Sequence, residues 1–403
     1  MTSRSDSTVR LGAALVLVGL ALRPQILVIG PLVGGIQSDL ALSHGVAGLL
    51  GSIPVLCMSL LAPFGPVLAA SIGPRLGTAA CVILIGAFGL LRGIAPEVVT
   101  VLVATVGVGA GMALVGPILP MIVRARLPDH PAAGTGAYVV GLVIGGSVTA
   151  ALAVPIAAAL GGWRGAIVVI SAAAFGSLAA WLWLMPRDAG FVRAAPSRPN
   201  LPWRRPSAWL LGVIFSSQSI LFFGCATWLA SVFVERGWGG TDAGSLVALL
   251  SGIGLVSTLA MPLLADRIGS RRTQLAFAAV LSIAGALVVA LTPDEPSGSI
   301  VAFAAAALLG LGIGAYFPLA LTLPVDVASD AQDAASISAL MLLVGYLLAA
   351  SAPVLLGLVR DATGSFDAVV WILVGVAVAM LPLALALSPS RLARAGRPEP
   401  AAE

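Results

Sequence analysis

The sequence predicts an all-α integral membrane protein whose twelve transmembrane helices form two six-helix bundles related by pseudo-two-fold symmetry. Three observations predict it. Of 403 residues, 59% are hydrophobic and only 9% charged, too little charge to cover a water-soluble chain of this length. Apolar runs long enough to cross about 30 Å of hydrocarbon follow one another, separated by short polar or Gly/Pro stretches. Short motifs also recur at matching places in the two halves.

The runs cover 11–36, 45–70, 76–94, 97–123, 131–160, 164–185, 207–234, 243–265, 273–292, 298–324, 333–359 and 367–388. Backbone amides in lipid must be satisfied within the chain, so runs this long are helices. Strands of a β-barrel would alternate every second residue and be half as long. The first run, from Val9 to Ile36, exceeds a signal-peptide core and lacks a small-residue cleavage pattern, so it is expected to stay as a helix. An even number of spans puts both termini on one side.

All 21 basic residues are arginine. With the N-terminus inside, sixteen fall in cytoplasmic segments (4, 10, 75, 124, 126, 187, 193, 198, 204, 205, 267, 271, 272, 391, 394 and 397). Four fall outside: Arg92, Arg164, Arg236 and Arg360. The positive-inside rule therefore predicts a multi-pass protein of the cell inner (cytoplasmic) membrane with both termini cytoplasmic. The net charge of +4 is a topological signal whose one implied partner is membrane lipid, not nucleic acid.

Between the sixth and seventh spans the chain turns rich in arginine and proline, which divides it into an N-terminal bundle (1–186), a cytoplasmic linker (187–206), a C-terminal bundle (207–390) and a cytoplasmic tail (391–403). The halves echo each other. Pro66 to Arg75 aligns with Pro262 to Arg271, and Gly107, Gly109 and Gly111 of span four match Gly310, Gly312 and Gly314 of span ten. Glycine at such spacing also serves close helix packing, but its recurrence in both halves favours duplication. Duplicated bundles place a solute site between them near the midplane, with transport by rocking one bundle against the other.

The run Ala265-Asp266-Arg267-Ile268-Gly269-Ser270-Arg271-Arg272 after span eight resembles the loop signature of the major facilitator superfamily, and the resemblance covers the whole chain. It implies the major facilitator fold, a cavity lined mainly by spans one, four, seven and ten, and a monomer. Within that superfamily, Leu22-Arg23-Pro24 with Gly30-Pro31, Ile53-Pro54-Val55-Leu56-Cys57, Gly314 to Pro318, and Gly345-Tyr346 with Pro353, Gly357, Asp361 and Thr363-Gly364 resemble the cyanate/nitroimidazole transporter branch. The first-half loop departs from the signature, with Ala70 and Ser71 where the pattern has Asp and Arg. A gating charge cluster is therefore expected only at Asp266, Arg267, Arg271 and Arg272, with Asp266 beside a helix N-terminus. Arg271 and Arg272 otherwise simply mark the cytoplasmic side. Pro155 stands too far from Gly161-Gly162 for the drug–proton antiporter pattern.

Arg23 is the most informative residue. It falls near the centre of span one, where a charge costs roughly 2.5–3.5 kcal/mol on insertion scales. No Asp or Glu falls mid-span to offset it. It is expected to face the cavity and hold an anion or the negative end of a polar solute, the alternative being a structural arginine held by carbonyls near Pro24. Helical spacing puts Gly19, Arg23, Ile26 and Gly30 on one stripe, where small residues would leave room for a ligand. On span seven, Phe215, Gln218, Phe222 and Cys225 share a face with Ser219 at its edge, and Gln218 offers both donor and acceptor. All three tyrosines, Tyr138, Tyr316 and Tyr346, lie inside spans, and a buried phenol needs a partner. The resemblance favours cavity roles for Tyr316 and Tyr346, whereas packing serves Tyr138 as well. Trp228 with Phe222 and Phe223 would form an apolar wall, and Met112 has similar standing, although aromatic and Met side chains serve packing more often. His44 reads as a loop or capping histidine.

These features predict a secondary transporter for a small anionic or polar solute by alternating access, cyanate-like or nitroimidazole-like by resemblance. An exporter of hydrophobic antimicrobials is the alternative, and a membrane sensor or enzyme without flux the weaker one. Cofactors are not expected. The sequence has no Walker loop, nucleophile–base pair or metal cluster, and Cys57, Cys81 and Cys225 are isolated in apolar runs. A coupling proton or counter-ion stays open, without an obvious carboxylate relay.

Overall fold

The computed structural model describes residues 4–185, 201–268, 271–292 and 295–387, with backbone alone for 4–7, 262–268 and 331. Fifteen α-helices follow in order: α1 (Arg4–Leu22), α2 (Pro24–Leu27), α3 (Ile29–Leu40), α4 (His44–Leu61), α5 (Gly65–Ile72), α6 (Pro74–Ile94), α7 (Val98–Arg126), α8 (Pro131–Ala159), α9 (Trp163–Leu184), α10 (Pro206–Glu235), α11 (Gly240–Ile268), α12 (Arg271–Leu291), α13 (Ile300–Val327), α14 (Ala331–Thr363) and α15 (Asp367–Ala386). Among the described residues twelve segments are long and apolar enough to span a membrane. Six lie in each half. The ends of α1 and α15 nearest the termini define a terminal face, and the helices begin or end alternately there and at the opposite face.

The helix ends follow from local chemistry. Gly73, at φ +86°, turns the chain between α5 and α6, where Pro74 opens the next helix. Asp330 caps α14 by accepting the Asp333 amide at 2.8 Å, and Gly364 ends the same helix in the left-handed region. Gly161 and Gly162 make the α8–α9 turn at φ values that side chains rarely adopt.

The first span is not the uninterrupted helix expected over 11–36. Pro24 has no N–H to donate to the Leu20 carbonyl, and the chain breaks at Arg23 and again at Val28. Leu20 is accommodated by Gly145 of α8, where an added Cβ would stand 2.4 Å from its carbonyl oxygen. Gly19 and Gly141 make the same α1–α8 approach from either side.

The internal duplication extends to packing. A Cβ on Gly111 would meet the Cys81 carbonyl of α6 at 2.7 Å, and one on Gly312 the Ala278 carbonyl of α12 at 2.6 Å. The equivalent helix pairs α6–α7 and α12–α13 thus use glycine for the same close crossing. The chain is an all-α membrane protein with the twelve-helix, two-bundle architecture. Most of the linker (186–200) and the tail from 388 onward lie outside the described residues.

Candidate solute site between the bundles

Because α1 stops at Leu22 and α2 restarts at Pro24, Arg23 sits in a seam of the first span, half-buried. Its stem passes over α8, where a Cβ on Gly146 would lie 3.4 Å from Arg23 Cβ and 3.5 Å from Cδ. Its guanidinium lies over the ring of Phe222 on α10, 4.5 Å from the centroid. That contact crosses from the N-terminal to the C-terminal bundle. Such a cation–π pair is worth about 0.5–2 kcal/mol, enough to orient the head but too little to neutralise it. Among the described residues no carboxylate forms an ion pair with Arg23, whereas five other pairs occur.

Tyr346 of α14 is an electrostatic neighbour of Arg23, half-buried, with Phe215 edge-on to its ring at 5.1 Å. On α10, Gln218 lies one turn before Phe222, and Ser219 donates its hydroxyl to Gln218 Oε1 at 3.1 Å. Arg23, Phe222 and Tyr346 are therefore brought together, from three spans and both bundles. They offer a planar cation, an aromatic face and a phenol.

Other expected residues are placed elsewhere. Ile26 and Met112 of α7 pack in the core, and Phe222, Gln218 and Ser219 are buried to a similar degree in this state. Tyr316 is fully buried within the C-terminal half, its hydroxyl 3.4 Å from the Met380 carbonyl of α15. Tyr138 is partly buried on α8 and packs beside α1. Gly19 and Gly30 leave no room for a ligand: a Cβ on Gly30 would stand 2.1 Å from the Ala226 carbonyl of α10. Arg271 pairs with Asp326 of α13 at 2.9 Å, inside its own bundle, and Arg272 is exposed. The side chains of Asp266 and Arg267 lie outside the described residues.

Trp228 belongs to a seal at the opposite face. Its indole donates to the Pro353 carbonyl at 2.8 Å, and its ring lies 5.7 Å from His44 and 5.6 Å from Phe366. Asp361 of α14 reaches across to the start of α4. One of its oxygens accepts the His44 amide at 2.9 Å and lies 2.7 Å from His44 Nδ1, and the other accepts the Gly45 amide at 2.8 Å. Ser43 is the N-cap of α4, accepting the Val46 amide, and Asp361 from the other bundle accepts the first two amides of the helix beside it. Glu235 secures the C-terminal side by pairing with Arg360 and accepting the Phe366 amide. His44 is therefore more than a loop residue. Gly48 and Gly357 bring α4 and α14 close enough that a Cβ on either would overlap the other helix's backbone or the turn before it.

Sequence reasoning also missed a buried network behind Arg23. Arg92 of α6, expected outside as a charge at a helix end, is fully buried and donates to both oxygens of Gln25. Its position one turn from a helix end gave no sign that the side chain bends inward.

A twelve-helix protein that joins its halves through a seal at one face, and holds a guanidinium between them at depth, is a membrane transporter by architecture. The chain belongs to the Major Facilitator Superfamily, whose family model matches residues 12–353. It is 29% identical over 375 residues to the 2-nitroimidazole transporter of Escherichia coli (strain K12), covering 93% of each chain. It is 28% identical over 352 residues to the cyanate transport protein CynX of the same strain, covering 87% of this chain and 90% of the relative. Among solved structures, a bacterial homolog to the human lysosomal transporter Spinster, in an inward-facing and occupied conformation, superposes with a TM-score of 0.72 at 18% identity, covering 98% of this chain and 96% of its own.

Proposed function

We propose that this transporter moves a small anionic or polar solute, of the cyanate or nitroimidazole class, by alternating access, with Arg23, Phe222 and Tyr346 as the primary contacts. The observation that carries the reading is Arg23 itself. Half-buried between the bundles, its guanidinium has one aromatic face against it and, among the described residues, no carboxylate paired with it. A cation so placed favours the negative end of a flat solute and repels lipophilic cations. Phe222 and Tyr346 add planar apolar surface for a short conjugated ion or a heterocycle, and Gln218 with Ser219 extends the polar side. The names of the two Escherichia coli relatives support the same solute class.

The excess of arginine at the terminal face supports a cytoplasmic terminal face in a cell inner membrane. The His44–Asp361 seal then closes the external side, and the state in hand is sealed to the outside. Cytoplasmic release requires no break at that seal; external loading does.

The test is ligand-induced thermal stabilisation of purified protein by cyanate, 2-nitroimidazole and a lipophilic cation. Because a ligand that binds the folded state raises its apparent stability, cyanate or nitroimidazole should stabilise the wild type and Arg23→Gln should lose most of the shift. Stabilisation by the lipophilic cation alone, indifferent to Arg23→Gln, would instead make the protein an antimicrobial exporter and Arg23 a structural residue.

A further inference from the structure

Arg92 lies on the other side of the interrupted first span from Arg23. Arg23 lies in the break just before α2 and Gln25 inside α2, and their side chains go to different neighbours. Arg23 points between the bundles, and Gln25 points into the N-terminal bundle, where it is 1% exposed. There Arg92 Nη2 donates to the Gln25 side-chain oxygen at 2.6 Å and to its carbonyl at 3.1 Å. Gln25 Nε2 donates to Ser171 Oγ of α9 at 3.0 Å, and Ser171 donates to the Ile167 carbonyl at 2.6 Å. Gly89 makes space for this chain, since a Cβ there would stand 2.4 Å from Ser171 Oγ and 3.0 Å from Gln25 Nε2.

Hydrogen bonding alone does not account for an arginine at this place. One nitrogen of the guanidinium makes both bonds to Gln25, while Nε and Nη1, equally buried, have no protein partner. A neutral amide would serve Gln25 without the cost of burying a charge. What arginine adds is the charge, and no carboxylate among the described residues forms an ion pair with it. An unscreened cation inside protein acts over longer range than one in water.

We infer that Arg92 is a specificity-determining residue of the solute site: a buried second cation that, from behind α2, raises the positive potential at Arg23 and so favours anions over neutral solutes of similar shape. The inference rests on the reading that Arg23 holds the negative end of the solute. At an effective dielectric of about 20, a unit charge about 12 to 25 Å from a monovalent anion changes its affinity roughly three- to tenfold.

The experiment compares cyanate, an anion, with 1-methyl-2-nitroimidazole, which has no ring N–H to lose. Affinities are read by thermal stabilisation of the wild type, Arg92→Gln, Arg92→Lys, Gln25→Leu and Arg23→Gln. The expected result is a three- to tenfold loss for cyanate in Arg92→Gln, a change within twofold for the neutral probe, and recovery of cyanate binding in Arg92→Lys. Equal weakening of both probes, or of neither, overturns the inference. Gln25→Leu keeps the charge while removing the network, and it decides the question if Arg92→Gln does not fold. Retained anion preference in that variant supports the charge, and lost preference assigns the role to the network. Cyanate binding that is indifferent to Arg23→Gln, or absent from the wild type, defeats the underlying reading instead. A loss in Arg23→Gln without one in Arg92→Gln defeats only the inference.

Discussion

The two bundles meet in two chemically different ways, at the seal around His44 and at the seam around Arg23. At the seal every polar group shown crossing between halves is answered: Asp361 accepts two amides and meets the imidazole, and Trp228 and Phe366 close around the ring. At Arg23 the crossing contact is a cation on an aromatic face, which leaves its N–H groups to be claimed. A gate has to be satisfied when shut. A binding group has to be held without being satisfied, or the solute has nothing to gain. The difference separates the part of the interface that sets the conformational equilibrium from the part that sets affinity.

The strongest way to break this comparison is to disable the seal and leave the seam alone. Gly48→Val pushes a side chain into the Pro353 carbonyl and the Val354 backbone of α14, which cannot yield as a flexible side chain would. Overpacking of this kind costs about 1–3 kcal/mol, so the sealed state should lose roughly 5- to 150-fold in population. Spin-label distances between α4 and α14 should lengthen and transport should collapse, while binding of cyanate stays within a few fold. Distances unchanged from the wild type would mean that the seal tolerates the side chain and that glycine there is incidental.

A smaller effect is expected at Asp361. Asp361→Ala removes three hydrogen bonds, but the carboxylate is about one-quarter exposed (28%), so water offsets part of the loss. About 1–2 kcal/mol against the sealed state is expected, with His44→Ala costing less because the two backbone bonds to Asp361 survive. Equal effects of the two variants on the same distances would assign the seal to the imidazole contact and away from helix capping.

Much of this architecture was legible in the residues. Twelve apolar runs, the paired glycine triplets and the unmatched Arg23 follow from the solvent a membrane protein faces, and lipid enforces those rules on every span. What escaped depended on which helix lies against which. The stripe of Gly19 and Gly30 beside Arg23 read as space for a ligand, yet backbone from α8 and α10 fills it, since small residues invite both and periodicity cannot choose. Arg92 read as a charge at a helix end because nothing local distinguishes a side chain that reaches solvent from one that bends inward. His44 and Asp361 stand 317 residues apart, and only the fold makes them partners. Pro24 was visible, but the size of the break it causes depends on Gly145 and on Gln25 being held from behind.

The mildest test concerns Trp228, which belongs to the seal by its ring contacts although its neighbours on α10 include Phe222 of the seam. Trp228→Phe keeps an aromatic ring beside His44 and Phe366 but removes the indole N–H that meets the Pro353 carbonyl. Pro353 lies within α14, where Gly48 of α4 also packs against that carbonyl, so the bond braces the surface on which α4 closes. A single neutral hydrogen bond contributes about 0.5–1.5 kcal/mol, and leaving a buried acceptor unpaired sets the upper end of that range. Transport should fall about two- to tenfold with cyanate affinity unchanged. An affinity loss as large as the loss of transport would draw Trp228 back into the solute site and erase the division between seal and seam at α10.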